Sequence, residues 1–189
     1  MTRPENKTRL ARLFAVTVIA IAGMVILTGC PYHSTHQTDE IPMNPVESSY
    51  FGKWRGMIAD EVTGEKTDVH LNIGQFSENE YNLEFIGYFL KRTDRKKRPL
   101  TDTISTTGFI SNVDNKLIFN IRYGDQVYLA DFYYVNDQIS LLPLSDHFTS
   151  FMIRSNKQLR NVISYHFKSR INPLYDESTC LKNMTRITE

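Results

Sequence analysis

The densest chemistry in this chain is a run of cations. Lys91, Arg92, Arg95, Lys96, Lys97 and Arg98 stand against the single acid Asp94 before Pro99 closes the stretch. Such a run is either a solvated hairpin tip or a contact for anionic lipid headgroups and lipopolysaccharide phosphates, worth up to ~1 kcal/mol per cation near a charged surface. The histidines promise less. His33 and His36 sit three residues apart in a polar, proline-bearing stretch, where two ligands chelate poorly because nothing holds them still. His70 falls on the polar side of an alternating segment, His147 lies beside Asp146, and His166 edges an apolar stripe, so each reads as structural. Gly-x-Ser-x-Gly, His-Glu-x-x-His and glycine-rich phosphate loops are all missing from the sequence. The expectation is a protein without catalytic residues, cofactor or metal.

The amino terminus has the layout of an export signal. Arg3, Lys7, Arg9 and Arg12 precede a 15-residue apolar run from Leu13 to Leu27, and Thr28, Gly29 and Cys30 close it. As a helix the run spans about 22 Å at ~1.5 Å per residue, short of the ~20 residues that cross a bilayer comfortably. Leu27-Thr28-Gly29-Cys30 resembles the lipobox of bacterial lipoproteins: an aliphatic residue, two small residues and cysteine. That resemblance implies diacylglyceryl transfer to the Cys30 sulfur, cleavage before Cys30, and acylation of the new amino group. One acyl chain binds a membrane reversibly, at ~0.8 kcal/mol per buried methylene, whereas two or three hold essentially permanently. The expected address is the bacterial envelope, with the periplasmic face of the outer membrane favoured over the inner membrane because Pro31 and Tyr32 follow the cysteine instead of aspartate. The alternative is an uncleaved signal anchor with an incidental cysteine.

Loss of residues 1–29 would take 22 basic and 21 acidic side chains to 18 and 20, removing Arg3, Lys7, Arg9, Arg12 and Glu5. A mature chain near −2 gives no support for nucleic-acid binding. Lipid on Cys30 would leave Cys180 without a partner, and a lone thiol in an oxidising compartment is best buried.

Residues 30–49 carry Pro31, Pro42 and Pro45 with many hydroxyls and no sustained period, so they read as a flexible tether. Residues 50–189 read as one mainly β domain. Strands are predicted over 51–59, 67–74, 80–90, 101–110, 116–122, 126–135 and 138–142, with a last one within 182–188. Val69, Leu71 and Ile73 alternate with His70 and Asn72, and Tyr81, Leu83 and Phe85 alternate with Asn82 and Glu84. Asp114-Asn115, Gly124-Asp125 and Asn136-Asp137 supply hairpin turns. An antiparallel meander of this length is expected to close into a barrel of about eight strands, since an open sheet leaves reactive edges. One helix, 155–171, opens on Ser155 with Gln158 three residues on, and its stripe of Leu159, Val162, Ile163 and Phe167 must cover an end or a flank of the barrel.

The first barrel strand carries Gly52-Lys53-Trp54, and Trp54 is the only tryptophan in the chain. A Gly-x-Trp in that place resembles the lipocalin and wider calycin pattern. The resemblance implies that Trp54 packs at the closed end of the barrel beneath an arginine from the last strand, for which Arg186 is the candidate. The family's Thr-Asp-Tyr has no equal here, Ala130-Asp131-Phe132 being the nearest approach.

The functional expectation is a non-enzymatic, membrane-anchored lipoprotein whose barrel binds a small apolar or amphipathic molecule, with Tyr81, Phe85, Phe119, Phe132 and Tyr134 lining the pocket. The alternative is a fully packed barrel that docks onto another envelope protein. Packed and hollow barrels share one alternation, so the sequence leaves both open.

Overall fold

A computed structural model describes residues 31–59, 66–87, 103–149, 152–169 and 175–188. Leu27 to Cys30 and the cationic run from Lys91 to Arg98 lie outside the described residues. The elements are β1 (His33–Ser34), β2 (Gly52–Ala59), β3 (Lys66–Gln75), β4 (Tyr81–Ile86), β5 (Thr103–Val113), β6 (Lys116–Tyr123), β7 (Gln126–Val135), β8 (Gln138–Pro143), α1 (Asn156–Ser169) and β9 (Leu181–Arg186).

Every neighbouring pair from β2 to β9 is antiparallel, and β2 pairs with β9, so eight strands form a closed barrel. The hairpins turn where short polar residues tolerate left-handed backbone. Asp114 and Asn115 have φ of 52° and 64°, Asn136 and Asp137 have 53° and 56°, which is the conformation a two-residue hairpin of the right twist requires. β2 meets β9 over only two residue pairs, Trp54 with Arg186 and Arg55 with Thr185, supported by a bond from the Ile187 amide to the Lys53 carbonyl at 2.7 Å.

Alternation sorts the side chains into two cores. Inside the barrel lie Trp54, Val69, Leu71, Ile73, Tyr81, Leu83, Phe85, Phe119, Phe132 and their neighbours. Outside it, Ile118 and Leu129 project from β6 and β7 against Leu159 and Ile163 of α1, joined by Leu144 and Phe148. The helix therefore covers a flank of the barrel. Its cap is shifted from the expected capping box: the Ser155 hydroxyl accepts from the Gln158 amide at 3.2 Å, but the Gln158 side chain accepts from Arg154.

Gly108 marks the tightest backbone approach. A Cβ there would stand 2.6 Å from the Asn120 carbonyl oxygen and 2.9 Å from the Phe119 ring, so neither neighbour can yield without moving β6. Gly108→Ala is expected to cost about 1–3 kcal/mol, the usual penalty of overpacking, read as a lower urea midpoint at unchanged slope.

Residues 31–49 differ from the expected tether. They are laid on the barrel as a strap. Pro31 bridges to Ser145, the Tyr32 amide donates to the Leu144 carbonyl at 2.6 Å, and β1 pairs with Tyr128 and Val127 of β7. β8 meets β7 only from Ala130 onward, so β1 occupies an edge that β8 leaves free. The strap then crosses β6 and β5. Thr38, 2% exposed, bonds there through its amide to Asn120 Oδ1 at 2.8 Å and through its hydroxyl to Ser111 at 2.7 Å. Hydrogen bonds hold the middle of the strap, while Tyr32, Val46 and Tyr50 pack against the two cores at irregular spacing, so no apolar period reveals it.

Candidate functional site

The strap ends in a 3₁₀ turn, Ser48–Tyr50, that carries Tyr50 across one end of the barrel. Its ring lies edge-on to Phe132 at 4.9 Å and to Tyr134 at 5.4 Å, and tilted against Tyr81 at 6.3 Å. Below it Tyr81 meets Phe119 at 5.4 Å, and Phe119 meets Phe132 edge-on at 5.6 Å. Tyr81, Phe85, Phe119 and Phe132, expected to line a pocket, are each 2% exposed or less. Tyr81 also borders, with Tyr50, an open hollow of about 210 Å³ at this end. Tyr134 is half-buried and reaches the Trp54 ring. Burial raises the Tyr81 phenol to about 12, and burial with the nearby Glu47 charge raises Tyr50 in the same direction.

The Gly-x-Trp pattern has a physical reason at this same end. The Arg186 guanidinium lies 4.3 Å over the Trp54 ring, donates to the Phe51 carbonyl, and donates to the Ser49 carbonyl at 2.6 Å. Gly52, at φ 135°, sits beneath it, and a Cβ there would stand 2.8 Å from Arg186 Nη1. The indole Nε1 donates to the Tyr50 carbonyl at 2.9 Å. One arginine thus ties the start of β2 and the plug to the last strand.

No protein-family model, curated protein or solved structure matches this chain.

The sequence reading missed a buried ionic cluster on the outer wall. Asp131 of β7 is 0% exposed. Its Oδ2 accepts from the Tyr133 hydroxyl at 2.5 Å and the Tyr175 hydroxyl at 2.7 Å, with Lys116 Nζ at 3.5 Å. Lys116 also donates to the Tyr133 oxygen at 2.7 Å and rests 5.1 Å from the Phe167 ring of α1. Burial by itself would lower the Lys116 pKa, but the Tyr133 contact and the Asp131 charge outweigh it and the net shift is upward. Burial, followed by the Asp131 contact, raises Tyr175. The upward shifts favour the charged Lys116 and the neutral Tyr175, and the cluster joins the sheet, the helix and the segment before β9. The signal was present in the sequence: an acid in the middle of the apolar run Val127–Val135, with Tyr133 two residues on and therefore on the same face.

Other candidate residues fall in separate places. His33 lies against the Tyr128 ring at 5.8 Å, and His70 lines an open groove with Arg55 and Asp68 on the far side of the barrel. Among the described residues, no three His, Cys, Asp or Glu side chains gather closely enough to hold a metal. Cys180 is 6% exposed, and burial pushes its thiol up to about 12. The thiolate is the reactive form. Alkylation by iodoacetamide at pH 8 is therefore expected to be negligible in the folded domain and complete within minutes in denaturant; fast labelling of the folded protein would contradict this.

Proposed function

We propose that the protein is a bacterial envelope lipoprotein, anchored through lipid on Cys30, whose calycin-like barrel is a packed docking module acting by binding another envelope protein. Docking leads over ligand carriage because of one observation. The aromatic rings that a hollow barrel would use to line a pocket touch one another, with Tyr50 closing over them. Support for the calycin-like character comes from the Gly52, Trp54 and Arg186 arrangement at the plugged end. The lipid anchor is carried by Leu27-Thr28-Gly29-Cys30.

Native mass spectrometry of the protein extracted from its own membrane tests this reading against the carrier. The expected result is the mass of the lipidated polypeptide and its covalent acyl chains alone, with a stable protein partner recovered by cross-linking. A stoichiometric, non-covalent apolar adduct released on unfolding would transfer the assignment to ligand binding.

A further inference from the structure

We propose that the strap makes the lipid anchor a rigid mount: the barrel sits flush against the bilayer in one orientation, with the surface around Pro31, His33 and His147 facing the headgroups. This rests on the reading of Cys30 as the lipid-bearing residue. The residue next to it is already part of the folded barrel. Pro31 bridges to Ser145, and Tyr32 is fixed through its amide to Leu144 and through its ring, edge-on to Phe148 at 4.4 Å. Ser34 and Thr38, 8% and 2% exposed, hold the next turns of the strap, and Asp39 pairs with Arg160 of α1 at 2.6 Å.

Chain dimensions make the consequence large. A free tether of about 20 residues would let the domain wander by roughly 25 Å, at about 5–6 Å times the square root of its length. Here a single peptide unit of about 3.8 Å separates the Cys30 and Pro31 Cα positions. The glyceride must lie in the membrane, so the barrel surface next to Pro31 cannot leave it. That surface is where β7 and β8 part. In an eight-stranded ring ordered β2 to β9, the β3–β4 wall is diametrically opposite. The hydrogen-bonded Asn72–Glu84 pair and the neighbouring Asn82 are on that wall, which is thereby presented away from the bilayer. The near side carries His33, Asp146 and His147, polar groups suited to headgroup contact.

The test uses the full lipidated protein in vesicles of phosphatidylethanolamine and phosphatidylglycerol that contain a headgroup spin-labelled lipid as quencher. A fluorophore is placed on His147→Cys or on Asn82→Cys, the native Cys180 being buried. Quenching is expected to be at least three-fold stronger at position 147 than at 82. A second pair of proteins carries a 20-residue Gly-Ser insertion between Cys30 and Pro31, which leaves the barrel untouched, and there the difference is expected to collapse. Equal quenching at both positions, or a difference that the insertion leaves unchanged, overturns the mount while lipid on Cys30 is verified by mass. An unmodified Cys30 in that mass overturns the anchor reading and the mount together.

Discussion

Asp131→Ala is expected to cost about 3–5 kcal/mol of folding stability, since two tyrosine hydroxyls each lose a hydrogen bond to a charged acceptor, worth about 1.5–3 kcal/mol apiece. Tyr133 and Tyr175, whose hydroxyls now donate to Oδ2, lose that acceptor, and Lys116 loses its ion pair while keeping the Tyr133 oxygen. The Lys116 side chain is 35% exposed and can turn to water, so most of the loss falls on the two tyrosines and on the segment that Tyr175 brings back to the barrel. Among the described residues the carboxylate is incompletely satisfied, because Oδ1 is buried with no hydrogen-bond partner there. Replacing the whole cluster with apolar groups of similar size, Asp131→Leu with Tyr133→Phe, Tyr175→Phe and Lys116→Met, is therefore expected to recover most of what Asp131→Ala loses. Urea unfolding of the single and combined variants measures both. A single variant within 1 kcal/mol of the parent would show that the cluster contributes geometry without stability.

The second large effect belongs to Trp54. Trp54→Ala removes a fully buried indole from the plugged end of the barrel, and truncation of a large core aromatic costs about 3–5 kcal/mol. It also strips the Tyr50 carbonyl of its indole donor and leaves Arg186 stacked on a void. Arg186 remains tied to the Ser49 and Phe51 carbonyls, so its own removal should partly overlap with the tryptophan's. In a double-mutant cycle of Trp54→Phe and Arg186→Met, a coupling of about 0.5–2 kcal/mol is expected from the cation–π contact in this partly desolvated place. Zero coupling would mean that the two side chains are neighbours without interaction. Arg186→Lys should not substitute, because an ammonium cannot fork to two carbonyls while lying flat on the ring.

How much of this was legible follows from which forces are local. Val69, Leu71 and Ile73 announced an inward face because period two is a property of a single strand, and β3 buries those three residues. Asn136-Asp137 announced a hairpin because left-handed backbone is a property of two residues, and both adopt it. The stripe of α1 announced that something is covered, yet Leu159 and Ile163 met Ile118 and Leu129, residues some forty and thirty positions away whose outward direction only the closed sheet defines. The strap was illegible for a related reason. Thr38 finds Asn120 and Ser111 through hydrogen bonds across 82 and 73 residues of chain, and a polar residue awaiting a distant polar partner looks the same as one awaiting water.

The sequence by itself determined the alternating strands, the turns between them and the helical stripe of Leu159, Val162, Ile163 and Phe167. All of these depend on backbone preferences or on side-chain period within a few residues. Only the tertiary structure decided that Tyr81, Phe119 and Phe132 pack ring against ring beneath Tyr50, that Asp131 gathers two tyrosines and a lysine, and that the chain after Pro31 is clasped to the wall. Each of those depends on how far apart two remote surfaces stand once the ring has closed, and burial is a property of that closure, not of any residue in it.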